Sequence, residues 1–404
     1  MLDVECFPVP WSVVRCQWSM VCPPSSVVSF PLYPMSLRIL HVVGSLDRTW
    51  GGLSLYVAEL AGELAAQGHQ VRVICPQRAA NPWPAGRAEV AALAPGTAGW
   101  REACAAAEVI HVHGLWLPYY HRALAQARRE KKPHLLSTHG MLEPGALCFS
   151  RWKKQLAMLL YQRNDLIRVP ALHATADSER QTLRQFGLRQ PVLTLPPGIR
   201  LPAQLRPRAE PRAVRRALFL GRIHPQKGIM NLLEAWAALR AKDWQLDIAG
   251  PEERGHGEQV RRELNRLGLE GTVTFHGPVF DTRKDELLHH ASLLLAPSLS
   301  ENFGIVIAEG LAHGLPVITT TGTPWQVLQR EKCGWWVPFG VEPLAQALRA
   351  ALALPPEELA EMGRRGRALA ERDFAWPRIA SRMAETYAWL LGSGPKPDCV
   401  DEKS

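Results

Sequence analysis

Two glutamates, Glu301 and Glu309, stand with seven residues between them in the run Glu301-Asn302-Phe303-Gly304-Ile305-Val306-Ile307-Ala308-Glu309. The apolar stretch Ser292 to Ala296 reads as a strand that delivers the chain to this loop, and an apolar helix is expected from about Ile305. Ligands of open α/β sheets sit beyond the carboxyl ends of strands, where a helix start offers free N–H groups. Both carboxylates can then face one cleft. They repel phosphate and accept from hydroxyls, such as those of a ribose and a sugar. Taken alone, the pair reads equally well as two solvated side chains beside a helix start.

A second loop, Gly221-Arg222-Ile223-His224-Pro225-Gln226-Lys227-Gly228, has the opposite charge and again lies between an expected strand, Ala217 to Leu220, and an expected helix, Met230 to Leu239. Arg222 can clamp phosphate oxygens with its guanidinium fork, and Lys227 can act as a point charge beside it. Fixed cations of this kind stabilise a departing pyrophosphate without a metal ion. Two loops of opposite charge in one half of the chain outweigh the alternative of a basic loop on an already basic surface.

In the first half the polar side chains concentrate at His111-Val112-His113-Gly114-Leu115-Trp116 and at Ser137-Thr138-His139-Gly140-Met141-Leu142-Glu143-Pro144, each following an expected strand and so expected to reach the cleft. His111 and His113 alternate on a strand, and no third ligand of metal-site spacing accompanies them, so no metal centre is expected. His111 reads as a buried, hydrogen-bonded histidine. His113 and Trp116 read as contacts to an acceptor.

The elements that must position these loops follow from the hydrophobic periodicity. Short apolar runs at Leu37 to Val43, Val71 to Cys75, Val109 to Val112, His134 to Thr138, Ala171 to Ala174 and Val192 to Leu195 alternate with helical patterns such as Leu53, Tyr56, Val57, Leu60 and Leu64. A second series runs from Ala217 through Gln245 to Ile248, Thr272 to Phe275, Ser292 to Ala296 and Pro316 to Thr319. Continuous apolar strands separated by helices indicate parallel sheets covered on both faces. A Pro- and Arg-rich stretch at 201–214 reads as the junction. The expected division is an α/β first domain over residues 35–205, an α/β second domain over 211–374, a helix over 375–392 returning to the first domain, and a flexible tail over 393–404. Residues 1–34, broken by Pro8, Pro10, Pro23, Pro24, Pro31 and Pro34, carry no strand or helix period and read as a leader outside the fold, with Met35 as its start.

The glutamate pair, the Gly-Arg-Ile-x-x-x-Lys-Gly loop, the strand end Leu246-Asp247-Ile248-Ala249-Gly250 and the early Gly51-Gly52 together resemble glycosyltransferase family 4, the retaining group 1 transferases, over about Leu37 to Leu391. The resemblance implies a GT-B fold of two facing doubly wound Rossmann-like domains and transfer of a sugar from a nucleoside-diphosphate donor. It implies that Arg222 and Lys227 hold the diphosphate, that Glu309 binds the ribose and that Glu301 contacts the transferred sugar. It also implies donor contacts from Gly52, Gly250, Pro278, Val279 and the backbone of Asn302, Phe303 and Gly304, with His139 beside the reacting sugar. Glu301, His139, Arg222 and Lys227 form the implied catalytic set. Front-face attack through an oxocarbenium-like state, with the leaving phosphate helping to deprotonate the acceptor, requires neither a metal nor another cofactor. The implied acceptor is a glycan or lipid-linked glycan in bacterial surface polysaccharide, lipopolysaccharide or exopolysaccharide assembly. A sugar-nucleotide epimerase or hydrolase on the same fold, or a non-catalytic sugar-nucleotide-binding protein, is the alternative.

At 404 residues with 47% hydrophobic content, the chain is long enough for two domains. Its net charge of +9 favours anionic partners. The basic residues are dispersed and lack the aromatic punctuation of a nucleic-acid reader, so none is expected. Eight cysteines with no short spacing fit a reduced, cytoplasmic compartment. The stretch Arg151 to Arg163 would place Trp152, Leu156, Leu159 and Leu160 on one helical face flanked by cations. It is expected as a packed helix with a basic outer side; peripheral contact with an anionic membrane is the alternative.

Overall fold

The computed structural model describes residues 36–148, 150–203, 214–239, 241, 243–253 and 255–402. The leader at 1–34 and most of the Pro- and Arg-rich junction lie outside them.

The first lobe is built on a sheet of eight strands: β1 (Arg38–Val43), β2 (Gln70–Cys75), β3 (Glu89–Ala92), β4 (Val109–His113), β5 (His134–Ser137), β6 (Ala171–Ala174) and β7 (Val192–Thr194), with one more from the chain's end. The second lobe carries six: β8 (Arg215–Leu220), β9 (Trp244–Ala249), β10 (Val273–Gly277), β11 (Leu293–Ala296), β12 (Val317–Thr320) and β13 (Gly334–Val337). The added strand of the first sheet is β14 (Val400–Asp401), which runs antiparallel to β7. All other pairings are parallel. Every residue of β4, β5, β6, β11 and β12 is buried, as expected of strands covered by helices on both faces.

Strand order sets where ligands can bind. The first sheet runs β14-β7-β6-β5-β4-β1-β2-β3 and the second β10-β9-β8-β11-β12-β13. The direction of winding reverses between β1 and β4 in the first sheet and between β8 and β11 in the second. Connections leaving such neighbours go to opposite faces and open a crevice at the strands' carboxyl ends. The basic loop leaves β8, and the loop carrying Glu301 leaves β11. The two segments that chemistry singled out therefore emerge side by side.

The helix Trp376–Leu390 packs on the helix Gly52–Ala66. Trp376, Ile379, Met383 and Tyr387 are buried with Val57, Leu60 and Leu64 in one core of the first lobe. Burying side chains of this size contributes about 1.5–3 kcal/mol each, so this helix ties the end of the second lobe to the first. Three strands are absent from the sequence expectations. β3 and β13 are short edge strands without a continuous buried face. β14 falls in the stretch expected to be a flexible tail; there Thr194 N donates to Cys399 O at 2.8 Å and Asp401 pairs with Arg180 at 2.8 Å.

Candidate active site

The loop 221–228 leaves β8 into a short 3-10 turn, Pro225–Lys227, closed by Gly228. Gly228 has φ +69, and a Cβ there would fall 2.1 Å from Pro297 O, so only glycine lets the two switch-point loops touch. Gly250, at the end of β9, is equally constrained: a Cβ would meet Gly221 O at 1.8 Å. Leu299 N donates to Gln226 O at 2.7 Å, joining the loops through backbone as well.

Within this frame Lys227 and Glu301 meet directly, Nζ on Oε1, and Ser298 Oγ donates to the same oxygen at 2.8 Å. Both side chains remain partly open to the cleft. Gly304, with φ +80, starts the helix Ile305–Ala312 that carries Glu309. Glu309 accepts from Lys284 Nζ at 2.7 Å. Burial opposes the charge of Lys284, but the charge and hydrogen bond of Glu309 outweigh it and hold this ammonium above the ordinary lysine value. Lys284 lies on the helix Asp281–His290, and no sequence pattern linked it to Glu309.

Other expected site residues lie differently. Arg222 is exposed and pairs with Glu253 at 2.5 Å, so it must leave that partner to reach a phosphate. The Phe303 side chain belongs to the core, 5.1 Å from the Trp325 ring, and only its backbone lies on the loop. Its carbonyl accepts from Trp325 Nε1 at 2.5 Å. Pro278 and Val279 follow β10, the first exposed and the second half-buried. Gly52 opens its helix after Gly51 at φ +75. Just before it, Arg48 Nη1 reaches Asp281 in the second lobe at 2.8 Å.

Facing the Lys227 and Glu301 loops, the segment after β5 is held by a residue that sequence reasoning missed. Glu179 is buried and accepts from Thr138 Oγ1 at 2.6 Å, from Gly140 N, and from Thr175 N and Oγ1 at 2.7 and 2.9 Å. An acidic residue in the first turn of a helix is a capping signal, and here the turn it satisfies belongs to the cleft wall. Thr175 Oγ1 also receives Asn302 Nδ2 from the second lobe at 2.7 Å, while Gly140 lies so close to Asn302 that a Cβ would sit 2.9 Å from its Cγ. Gly145 lies beside Gln226, where a Cβ would be 3.5 Å from Nε2. Residues 140–145 therefore span the rim from Asn302 to Gln226, across from Lys227 and Glu301.

His139 lies on this rim, half-buried and left-handed at φ +50, with burial first and the neighbouring His173 second pushing its imidazole down to about 3. Burial therefore favours its neutral form. His113, expected to touch the acceptor, is instead fully buried beneath His139. In a sheet covered on both faces a strand residue does not reach the cleft; only residues beyond the strand's end do. His111 is buried as expected, with Tyr387 Oη and Ser137 Oγ at 2.7 and 2.6 Å on its two nitrogens. His41, His111 and His113 bring ring nitrogens within 4.8 Å of one another, yet both nitrogens of His111 are already engaged, leaving it no lone pair for a metal. Trp116, left-handed at φ +76, has its backbone N–H bonded to Gln162 Oε1 at 2.8 Å.

Glu143 is a second rim carboxyl whose state spacing did not reveal. Burial first, then the charges of Glu179 and Glu301, raise it from 4.5 to about 7. The folded state thus holds this proton more tightly than the unfolded chain. The contribution favours folding below about pH 4.5 and is lost as pH rises to about 7. Glu143→Gln is therefore expected to gain stability relative to the unaltered protein across that window and to keep a constant advantage above it. Denaturant melts from pH 4.5 to 8 check this; a pH-independent offset contradicts it.

Comparison with known proteins agrees with this geometry. Residues 50–203 match the family described as Glycosyltransferase Family 4, and residues 214–353 match Glycosyl transferases group 1. The D-inositol 3-phosphate glycosyltransferase of Streptomyces griseus is 29% identical, with 87% of each chain covered. The phosphatidyl-myo-inositol mannosyltransferase of Mycobacterium leprae is 35% identical over 46% of this chain and 50% of its own. Among solved structures, sucrose-phosphate synthase from Thermosynechococcus elongatus superposes with TM-score 0.70 at 23% identity, covering 88% of this chain and 99% of that one. HepE of Anabaena, solved in complex with UDP and glucose, gives 0.67 at 18% identity, covering 87% and 99%. With both lobes matched in order and two switch-point crevices facing each other, the chain belongs to the family 4, group 1 glycosyltransferases of GT-B fold.

Proposed function

We propose that this glycosyltransferase moves a hexose from a nucleoside-diphosphate sugar, with retention of anomeric configuration and without a divalent cation or other cofactor, to a glycan or lipid-linked glycan acceptor. The observation that carries the reading is the Lys227–Glu301 pair at the second lobe's switch point, opposite the rim of His139 and Glu143. Lys227 supplies positive charge where a diphosphate departs, and Arg222 joins it on release from Glu253. Glu301 accepts from hydroxyls of the transferred sugar and steadies the positive charge that develops on its ring. Glu309 accepts from the ribose. Gly52, Gly250, Pro278, Val279 and the backbone of Asn302, Phe303 and Gly304 complete the donor pocket. His139 and Trp116 face the acceptor side. The complex of HepE with UDP-glucose makes a uridine diphosphate sugar the first donor to test.

Transfer in excess EDTA is expected to proceed at the full rate, because Lys227 and Arg222 supply the charge that a metal would otherwise provide. Complete loss of activity, restored by Mg²⁺ or Mn²⁺, refutes the metal-free reading.

The acceptor reading rests on the helical stretch Arg151–Arg168. The apolar face expected to pack is open instead: Trp152, Leu159 and Leu160 are 66%, 83% and 67% exposed, and Leu156 and Ile167 are also exposed, while Leu166 and Gln162 on the other side are buried. Arg151, Lys153, Arg163 and Arg168 flank them. No helix among the described residues is long and apolar enough to cross a membrane. We assign this face to the anionic cytoplasmic surface of a membrane and place the protein there as a peripheral enzyme of surface polysaccharide, lipopolysaccharide or exopolysaccharide assembly. The relatives named for D-inositol 3-phosphate favour a second acceptor, a soluble cyclitol phosphate. Assaying transfer to inositol phosphate beside transfer to lipid-extracted glycan acceptors separates the two.

A further inference from the structure

Five histidines gather beneath the first lobe's switch point: His41 on β1, His111 and His113 on β4, His173 on β6, and His139 on the rim beyond β5. They form two hydrogen-bonded chains with different ends.

The first chain is closed. His173 Nε2 lies 2.8 Å from Leu195 O. A carbonyl only accepts, so Nε2 carries the hydrogen and Nδ1 is bare. The bare Nδ1 accepts from Ser137 Oγ at 2.6 Å. Ser137 Oγ then accepts from His111 Nε2 at 2.6 Å, and His111 Nδ1 accepts from the Tyr387 hydroxyl at 2.7 Å. Each tautomer follows from the one before it, and every polar atom is satisfied.

The second chain is open. His41 Nδ1 lies 2.8 Å from His113 Nε2, and His113 Nδ1 lies 3.3 Å from His139 Nε2. No carbonyl fixes its direction. At its inner end His41 Nε2 is buried without a partner. A buried N–H without an acceptor is rarer in folded proteins than a bare lone pair, so Nε2 is the unprotonated atom and the hydrogen lies on Nδ1. His41 Nδ1–H donates to His113 Nε2, His113 Nδ1–H donates to His139 Nε2, and the hydrogen of His139 is thereby placed on Nδ1. That nitrogen has no partner among the described residues, on a half-buried side chain at the cleft rim. The tautomer of an imidazole is set by the bond its other nitrogen makes, here through two residues in series.

We propose that His41 and His113 are positioning residues that fix His139 as its neutral Nδ1–H tautomer, so that it offers the cleft a hydrogen-bond donor to a hydroxyl of the transferred sugar or to the departing phosphate. The ligand assignment rests on the transferase reading given above; the tautomer does not. A donor that carries no net charge favours an oxygen that gains negative charge in the transition state without trapping the diphosphate afterwards.

The test uses the full chain labelled with ¹⁵N-histidine and needs neither donor nor acceptor. Long-range ¹H–¹⁵N correlation spectra separate the Nδ1–H and Nε2–H forms. His139 is expected as Nδ1–H. His41→Phe, which keeps a ring but removes the donor, is expected to move His139 toward the Nε2–H form or a mixture, and to lower kcat by at least about tenfold with donor affinity unchanged. His41→Asn, which retains an N–H near the Nδ1 position, is expected to restore both. An Nε2–H signature for His139 in the unaltered protein overturns the proposal, and so does an unchanged His139 signature in a cooperatively melting His41→Phe. If the Phe variant does not fold, the unaltered protein and the Asn variant still decide. Transfer activity that fails while the Nδ1–H signature holds counts against the transferase reading alone.

Discussion

Lys227→Ala is expected to lower kcat/KM by about two to three orders of magnitude, the usual scale for removing one fixed donor from a site of developing charge. Two effects combine. Under the proposed assignment the diphosphate loses its nearest cation, and Glu301, which now pairs with Lys227 and Ser298, is left as a carboxylate facing the departing anion. The two glutamates are expected to fail differently. If Glu309 holds the ribose as proposed, Glu309→Ala removes a contact that donor and free nucleotide share, so affinity for both should fall by roughly tenfold to a hundredfold, the range for one hydrogen bond to a charged group. On the same reading, Glu301→Ala removes a contact to the transferred sugar and at the same time frees Lys227. Nucleotide diphosphate should therefore bind at least as well as before while turnover drops. Calorimetric titration of the three variants with UDP and GDP, paired with initial rates on the sugar nucleotide, checks this. Glu301→Ala losing nucleotide affinity as badly as Glu309→Ala removes these loops from the donor site.

The strands that carry this site were legible because they are short continuous apolar runs, β8 and β9 ended by Gly221 and Gly250 and β11 by Pro297, and because central parallel strands buried on both faces leave that signature. The loops were legible because charge and glycine cluster within them. What the sequence concealed lies in pairs distant along the chain. Nothing local joins Glu253 to Arg222 or Lys284 to Glu309, and Glu179 carries no mark of function beyond its place at a helix start. His113 misled for a geometric reason. Alternation along a strand tells inside from outside only where one face meets solvent, and β4 meets none. The basic helix misled through frequency, since the apolar face of an amphipathic helix usually packs; here Leu166 and Gln162 pack inward while Leu159 and Leu160 stay exposed.

Leu159→Glu combined with Leu160→Glu is expected to abolish membrane binding while sparing transfer to a water-soluble acceptor analogue. A π-helical turn, Met158–Gln162, interrupts the helix between Arg151–Ala157 and Arg163–Arg168. On its inner side the turn aims Gln162 and the Tyr161 hydroxyl at the two backbone polar groups of Trp116, at 2.8 and 2.5 Å, and Lys154 lies 5.7 Å from the Trp116 ring. On its outer side it leaves Leu159 and Leu160 to solvent. One stretch thus presents an apolar, cation-flanked face outward and grips the acceptor-side loop inward, the geometry needed to receive a sugar acceptor whose tail stays in lipid. Inserting two leucines contributes roughly 3 kcal/mol or more, and each basic residue near an anionic surface about 1 kcal/mol. Replacing both leucines by glutamate forfeits the first term and opposes the second, so partitioning should fall by a factor of about a hundred or more. Co-sedimentation with vesicles is the measurement. The unaltered protein should pellet with phosphatidylglycerol-containing vesicles, weakly with phosphatidylcholine alone, and less as salt is raised; the double variant should stay in the supernatant with its melting transition unchanged. Equal pelleting of both proteins, or no pelleting of the unaltered one, removes the membrane from the account and leaves the soluble cyclitol phosphate as the acceptor to pursue.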